Sequence, residues 1–147
     1  MKNIDEDIKR GQFAQVYLLY GEEAYLKKQY KDKLKHAMVP EGDTMNFSAF
    51  EGKSINPKEI IDLAETLPFF AERRVILIEN SGFFKNACEE LAEYLTQVAP
   101  ATHFIFVEEE VDKRSKMYKA AKASGRIVEF LPQNEELLTR WILGRLK

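Results

Sequence analysis

The sequence predicts a three-layer α/β domain, in which helices cover both faces of a five-stranded and mainly parallel sheet. Three observations support this prediction. Short apolar runs suited to strands recur along the 147 residues, stretches with helical spacing separate them, and the connections between the two are short. Regular alternation of strand and helix favours parallel strands, because each helix carries the chain back to the edge where the next strand begins.

The first half of the chain contains two strand–helix pairs. Val16 to Tyr20 is an apolar run closed by Gly21, and residues 22–38 then show helical spacing, with Glu22 and Glu23 placed in the first turn. A weaker strand signal follows at residues 47–50. Asn56 and Pro57 are typical of an N-cap and a first helical position, so a helix should begin there and end before Pro68.

The second half continues the alternation. We predict a strand at 75–78 buried on both faces, a helix at 89–98, a strand at 103–107, a helix at 113–123 and a strand at 126–130. Asn134 can cap a last amphipathic helix that runs to Lys147 with no stop signal. We therefore divide the chain into an α/β domain, residues 1–132, and the start of a truncated helical domain, residues 133–147, which we expect to continue beyond Lys147.

Composition excludes several classes of protein. With 45% hydrophobic residues and a formal charge of −2, the chain is neither a disordered tail nor broadly attracted to nucleic acid. No apolar run is long enough to span a bilayer, and Met1 to Arg10 is too charged for a secretory signal, so we expect a cytoplasmic protein that does not bind membranes. The single cysteine, Cys88, cannot form an internal disulfide or a structural zinc site, and we expect no metal or cofactor.

The first strand-to-helix turn is where phosphate-binding loops lie in folds of this kind. Aligned from Gly21 with the motif G-x-x-x-x-G-K-[ST], the chain has Leu26 at the second glycine, then Lys27, then Lys28 at the magnesium-binding hydroxyl. Two of four requirements fail. The turn is either a degenerate P-loop that does not bind ATP or an ordinary turn, and the pattern alone does not decide between them.

A basic stretch follows the strand at 103–107. It contains five cations in ten residues, namely Lys113, Arg114, Lys116, Lys119 and Lys122. Acidic residues precede it, as suits a solvated helix face that complements the helix dipole. Contact with DNA phosphates is the sharper alternative, and it predicts DNA binding that falls steeply with salt.

Large apolar side chains cluster in the junction before the strand at 75–78. They are Leu67, Phe69 and Phe70, on either side of Pro68. Such connections normally carry polar residues, and adjacent residues in an extended segment point in opposite directions, so both phenylalanines are not easily buried. A contiguous apolar patch here predicts a docking site for another macromolecule, which Pro68 would stiffen.

Three segments together resemble the N-terminal domain of the delta subunit of bacterial DNA polymerase III. They are YLLYGEEAYLKKQYKDKL, LAETLPFFAERRVILIEN and FIFVEEEVDKRSKMYKAAKASGRIVEF. The resemblance implies an AAA+-like domain without a working nucleotide site, non-catalytic in itself, within the DNA-directed DNA polymerase III holoenzyme. The delta subunit belongs to the clamp loader. The resemblance also brings in the sister subunits of that complex, which carry an intact P-loop or a four-cysteine zinc module, and the single cysteine of this chain argues against a sister subunit.

The resemblance also implies a role in replication. The domain would bind the beta sliding clamp through a hydrophobic wedge formed by Leu67, Pro68, Phe69 and Phe70, and would help to open the ring. Its other partners would be the gamma/tau and delta prime subunits, and DNA in the assembled complex. The alternative is a nucleic-acid-binding or nucleotide-binding module of a degenerate P-loop fold.

Overall fold

The computed structural model describes residues 2–39, 42, 45–66, 68, 73–85 and 88–130. Its strands are β1 (Val16–Tyr20), β2 (Phe47–Glu51), β3 (Arg74–Glu79), β4 (Thr102–Glu108) and β5 (Gly125–Glu129). Its helices are α1 (Lys2–Arg10), α2 (Ala24–Met38), α3 (Pro57–Ala64), α4 (Glu89–Tyr94), which a short 3₁₀ turn extends over Leu95–Gln97, and α5 (Lys116–Ser124).

The five strands form one sheet in the order β2-β3-β4-β1-β5, and every pair of neighbours is parallel. The order places β1 between β4 and β5, with Val16 opposite both Phe104 and Gly125. The predicted five-stranded parallel sheet is therefore confirmed. Its carboxyl edge is formed by the ends of β1, β3 and β4, and its amino edge by their beginnings.

Strand residues alternate between two hydrophobic cores, one on each face of the sheet. Tyr17 and Leu19 pack with α1 and α2, whereas Val16 and Leu18 pack with α3, α4 and α5. β1, β3 and β4 are buried almost throughout, as their unbroken apolar runs predict. The three layers of the prediction are thus helix, sheet and helix.

The N-terminal helix α1 was not predicted, because its ten-residue neighbourhood is dominated by charged side chains. Ile4, fully buried, places it on the sheet. Asp7 is 6% exposed and accepts hydrogen bonds from the Tyr17 hydroxyl at 2.7 Å and from Arg126 Nε at 2.6 Å. This carboxylate joins the helix to β1 and to the edge strand β5.

Several boundaries differ from the predictions. α2 begins at Ala24, with Glu23 as its N-cap, so Glu22 and Glu23 precede the helix instead of forming its first turn. α5 begins at Lys116 because Ser115 caps it, accepting a hydrogen bond from the Tyr118 N–H. The predicted N-cap at Asn56 is confirmed, since its side chain accepts from the Lys58 N–H at 2.9 Å. The predicted helix at 133–147, and with it the domain boundary, lies outside the described residues.

Candidate functional site

The connection between β1 and α2 lies at the carboxyl edge, where the degenerate P-loop was predicted. It consists of only Gly21, Glu22 and Glu23. The P-loop motif spreads eight residues over its turn and the first turn of its helix, so that backbone N–H groups surround a phosphate. In this chain Leu26 is the third residue of α2 and is buried in the core, at the position where the motif has its second glycine.

Gly21 is in close contact with the backbone of Phe130. Its φ of 121° belongs to a region that only glycine adopts readily, and a Cβ at this position would overlap the Phe130 carbonyl oxygen. The Gly21 N–H donates to Glu108 O at 3.3 Å and the Glu23 N–H donates to Phe130 O at 3.1 Å. Two N–H groups that could have faced a phosphate are therefore used inside the protein.

The two lysines of the motif lie apart. Lys27 is 6% exposed, and its ammonium donates to Glu108 O at 3.2 Å. Burial lowers the pKa of Lys27, while nearby carboxylates, chiefly Glu109, oppose that shift. Lys28 is exposed to solvent on the same helix. The structure thus brings Gly21 and Lys27 to the same backbone group, the carbonyl of Glu108, and leaves Lys28 outside.

A buried carboxylate occupies the turn after β3. Glu108 is 2% exposed and accepts hydrogen bonds from the Ser81 hydroxyl at 2.6 Å and from the N–H groups of Ser81 and Gly82, each at 3.0 Å. Asn80 and Gly82 both have positive φ, which turns consecutive N–H groups toward one point, as in anion-binding turns. Burial raises the pKa of the Glu108 carboxyl, and these hydrogen bonds offset that rise only in part. The Glu108 carboxyl thus occupies the place where such a turn would bind an anion.

A cleft of about 390 Å³ opens beside this carboxylate. It is lined by two lysines, three glutamates and part of the β3–α4 turn, namely Lys53, Asn80, Gly82, Lys85, Glu108, Glu109 and Glu110. Lys85 is paired with Glu110 at 2.7 Å. Glu79, the last residue of β3, is paired with Lys31 at 3.4 Å. The lining thus carries both signs of charge, and no metal-binding cluster of three His, Cys, Asp or Glu occurs in the described part of the chain.

The α3–β3 junction lies at the opposite, amino edge of the sheet. Leu67, Phe69 and Phe70, predicted to form an apolar patch, lie outside the described residues, and Pro68 is half-buried. The residues on either side are anchored. Thr102 donates its hydroxyl to Ala64 O at 2.7 Å, and Arg74 Nε donates to Thr66 O at 2.9 Å.

All five cations of the basic stretch are exposed to solvent. Three of its five cations lie near carboxylates: Lys113 is 4.0 Å from Glu129, Arg114 is 3.4 Å from Asp112, and Lys116 is 3.3 Å from Glu89. Lys119 and Lys122 are exposed on α5. A shallow cleft at the edge of the sheet places Lys122 beside Tyr20 and Tyr118, whose rings meet edge to face. DNA contact by this stretch stays a prediction.

Residues 17–131 match the family model described as DNA polymerase III, delta subunit. The chain belongs to the DNA polymerase III delta subunit family. Among curated proteins, DNA polymerase III subunit delta of Bacillus subtilis (strain 168) is 28% identical over 154 residues, an alignment that spans 97% of this chain and 44% of that protein. The chain therefore spans less than half the length of this delta relative.

The chain is similar in fold to solved proteins, among them the two that follow. The Bacillus subtilis DNA clamp loader delta protein superposes with a TM-score of 0.84 at 28% identity, covering 95% of this chain and 45% of that one. A DNA polymerase III gamma subunit-related protein of Thermotoga maritima gives a TM-score of 0.63 at 9% identity, over 92% of this chain and 47% of that one, and shows likeness of fold alone. The predicted AAA+-like class and the delta-family resemblance are both confirmed.

Sequence reasoning missed the contact between Ser81 and Glu108, because three consecutive glutamates at the end of β4 look alike in a sequence.

Cys88 lies at the start of α4, and its thiol pKa is raised, first by burial and then by Glu90. No helix in the described portion of this delta-family chain is long and apolar enough to cross a membrane.

Proposed function

We propose that this chain is the part of a clamp-loader delta subunit that binds the beta sliding clamp and helps to open the ring for loading onto DNA during replication. The observation that carries the proposal is the delta-family match over residues 17–131. The solved relative with a TM-score of 0.84 is a DNA clamp loader delta protein. A subunit of this kind would act in the cytoplasm.

The clamp contact is assigned to the α3–β3 junction, with Leu67, Phe69 and Phe70 as its apolar side chains and Pro68 as the residue that stiffens it. Support comes from the composition of the junction and from the hydrogen bonds that tie its α3 end to the sheet, from Thr102 to Ala64 O and from Arg74 to Thr66 O. A few apolar and aromatic anchors in the centre of an interface commonly supply most of its affinity. An apolar patch on a short anchored connection is suited to enter a pocket on the clamp surface.

The chain would do its work by differential binding, without catalysis. A ligand shifts a conformational equilibrium only by the difference between its affinities for the two states, so the wedge must favour the distorted clamp interface over the closed one. ATP hydrolysis would belong to neighbouring gamma/tau subunits. Contacts with these subunits and with delta prime would be made mainly by parts of the delta subunit other than these 147 residues.

The carboxyl edge supports a role without nucleotide hydrolysis. The β1–α2 connection is three residues long, its N–H groups at Gly21 and Glu23 are bonded within the protein, and Glu108 fills the turn after β3. A nucleotide-binding module is accordingly the weaker alternative. A contact with DNA in the assembled loader would fall to the exposed cations of the basic stretch, of which Lys116, Lys119 and Lys122 lie on α5.

The test is a calorimetric titration of the beta sliding clamp with the native chain and with the double variant Phe69→Ala, Phe70→Ala. If the phenylalanines are the anchors, the variant loses about 2 kcal/mol or more of binding free energy, roughly thirtyfold in Kd. Tyr25→Ala is the matched control, because Tyr25 is an exposed aromatic residue (60%) at the start of α2. Its affinity should equal that of the native chain.

The outcome that contradicts the proposal is a double variant that remains folded, with an unchanged thermal midpoint, and binds the clamp as tightly as the native chain. A loss of equal size in Tyr25→Ala would also contradict the assignment of the contact to the junction. Absence of clamp binding by the native chain would remove the proposed function altogether.

A further inference from the structure

The elements that meet at the carboxyl edge of the sheet are joined through one residue, Glu108. Its backbone carbonyl oxygen accepts hydrogen bonds from the Gly21 N–H at 3.3 Å and from the Lys27 ammonium at 3.2 Å. Its carboxyl group accepts from the Ser81 hydroxyl at 2.6 Å and from the N–H groups of Ser81 and Gly82, each at 3.0 Å. The last residue of β4 thus contacts the turn after β1, helix α2 and the turn after β3.

The turn after β3 has the geometry of an oxoanion site. Asn80 has a φ of 53° and Gly82 a φ of 76°, and the consecutive N–H groups of Ser81 and Gly82 point to the same carboxyl group. Backbone turns of this kind form concavities that bind phosphate and other anions. Both oxygens of the Glu108 carboxyl are engaged, since Oε1 accepts from the Ser81 hydroxyl and the Gly82 N–H, and Oε2 accepts from the Ser81 N–H.

The lysine of the degenerate P-loop reaches the same residue. In a complete P-loop this lysine contacts the phosphates of the nucleotide. Lys27, which stands at that position when the motif is aligned from Gly21, is 6% exposed and donates to the carbonyl oxygen of Glu108. Burial lowers the pKa of Lys27, and the carboxylates of Glu109 and Glu108 act in the opposite direction. The ammonium and the N–H groups of the turn therefore converge on one residue, as they would on a phosphate.

A glutamate is costly at this position. Burial raises the pKa of the Glu108 carboxyl, and its hydrogen bonds offset that rise only in part. The next two residues, Glu109 and Glu110, are both exposed, as glutamates ordinarily are. An aliphatic side chain at residue 108 would avoid the cost of burying a carboxyl but would leave the donors of the turn without an acceptor. The donors of the turn thus account for a buried carboxyl at this position.

We infer that Glu108 is the built-in ligand of an oxoanion site: its carboxyl group holds the place in the turn after β3 that a phosphate or another small oxoanion would take. The carboxyl edge therefore joins its strand ends without a bound nucleotide. A cleft of about 390 Å³ with Lys53 and Lys85 in its lining opens beside this carboxyl, so an anion can reach the turn once the carboxyl is removed. The site lies at the opposite edge of the sheet from the proposed clamp contact and does not depend on it.

Glu108→Ala empties the site. The substitution removes the carboxyl and the adjoining methylene, a fragment of the size of acetate, and leaves the donors of the turn without their acceptor. We expect the thermal midpoint to fall by about 5 °C or more, because buried donors that lose their partners weaken the fold. Sodium acetate or sodium phosphate should then raise the midpoint of the variant by about 2 °C or more above its value in sodium chloride of equal ionic strength.

Glu109→Ala is the matched control, because Glu109 is the next residue, lines the same cleft and is exposed. Phosphate stabilises folded proteins in general by being excluded from their surface. The gain that counts is therefore the excess of the variant over the native chain in the same salt. Glu109→Ala should show no such excess.

Two results with a folded Glu108→Ala variant would overturn the inference. One is a midpoint that rises in acetate and in phosphate no more than that of the native chain, since the emptied turn would then hold no oxoanion. The other is an equal excess in Glu109→Ala, since the anion would then bind in the cleft and not in the turn.

If Glu108→Ala does not fold, Glu108→Gln replaces it. Glutamine keeps the side-chain volume, but its amide nitrogen cannot accept from the Ser81 N–H. Its midpoint should fall below the native value, and an equal or higher midpoint would overturn the inference. None of these measurements uses the clamp, so a failure of the clamp proposal leaves the role of Glu108 intact, and the reverse also holds.

Discussion

Gly21→Ala is expected to lower the free energy of unfolding by about 3 kcal/mol or more. Two costs combine. Alanine at a φ of 121° costs roughly 1–3 kcal/mol, and overpacking against a rigid neighbour costs a further ~1–3 kcal/mol. The neighbour here is the backbone of Phe130, which cannot move without breaking its hydrogen bond from the Glu23 N–H.

Chemical denaturation of the variant and of Gly52→Ala measures this effect. Gly52 also has a positive φ, of 97°, but a Cβ there would meet no atom within 4 Å. The difference between the two variants isolates the close contact at the β1–α2 turn from the cost of the backbone conformation. Equal losses of unfolding free energy in the two variants would mean that the Phe130 backbone does not close this turn. A ligand could then fit there.

Asp7→Ala should cost about 3 kcal/mol of stability. The substitution leaves the Tyr17 hydroxyl without its acceptor and Arg126 without its partner. Removing one member of a buried ion pair typically costs about 3–5 kcal/mol. The lower end applies here because the Arg126 side chain is 38% exposed. The Tyr17 hydroxyl is the donor in this contact. Burial raises the pKa of that hydroxyl, and the hydrogen bond to Asp7 raises it further. Loss of the contact would remove the hydrogen bonds that join α1 to β1 and β5, while the apolar packing of Ile4 would remain.

Asp5→Ala is the matched control for this prediction, on the same helix. Asp5 accepts a hydrogen bond from the Tyr30 hydroxyl at 3.0 Å and lies 4.0 Å from Lys33, but its side chain is 51% exposed. Exposed pairs of this kind contribute at most about 1 kcal/mol. Thermal melts that show equal losses for the two aspartates would mean that α1 is not held by Asp7.

Local signals in the sequence predict much of the fold. The bounds of β1 coincide with the run from Val16 to Tyr20, and Asn56 and Pro57 mark the start of α3 as predicted. The predictions were wrong where two signals competed. The predicted helix begins at residue 113, whereas α5 begins at Lys116, after the cap Ser115. α1 was missed because Ile4 and Ile8, four residues apart on one face, stand among charged neighbours.

At the carboxyl edge, the sequence predicts only that a complete P-loop motif is absent. Which glutamate turns inward after β4 depends on where the strand ends and on the alternation of its side chains, and the partners of Glu108 lie 26 and 27 residues away. Arg74 posed a similar problem, since an arginine at a strand start is ordinarily solvated and its bond to Thr66 depends on the path of the junction. Contacts of this kind are set by tertiary structure.

Hydrogen exchange of the native chain, alone and saturated with the beta sliding clamp, tests the central claim most directly. The claim is that the clamp binds at the amino edge of the sheet, through the α3–β3 junction. We expect exchange to slow at residues 65–74, where Pro68 contributes no amide, and to stay unchanged at residues 21–30 of the closed carboxyl edge. Slowing at residues 21–30 or 113–124 with no change at 65–74 would contradict the account.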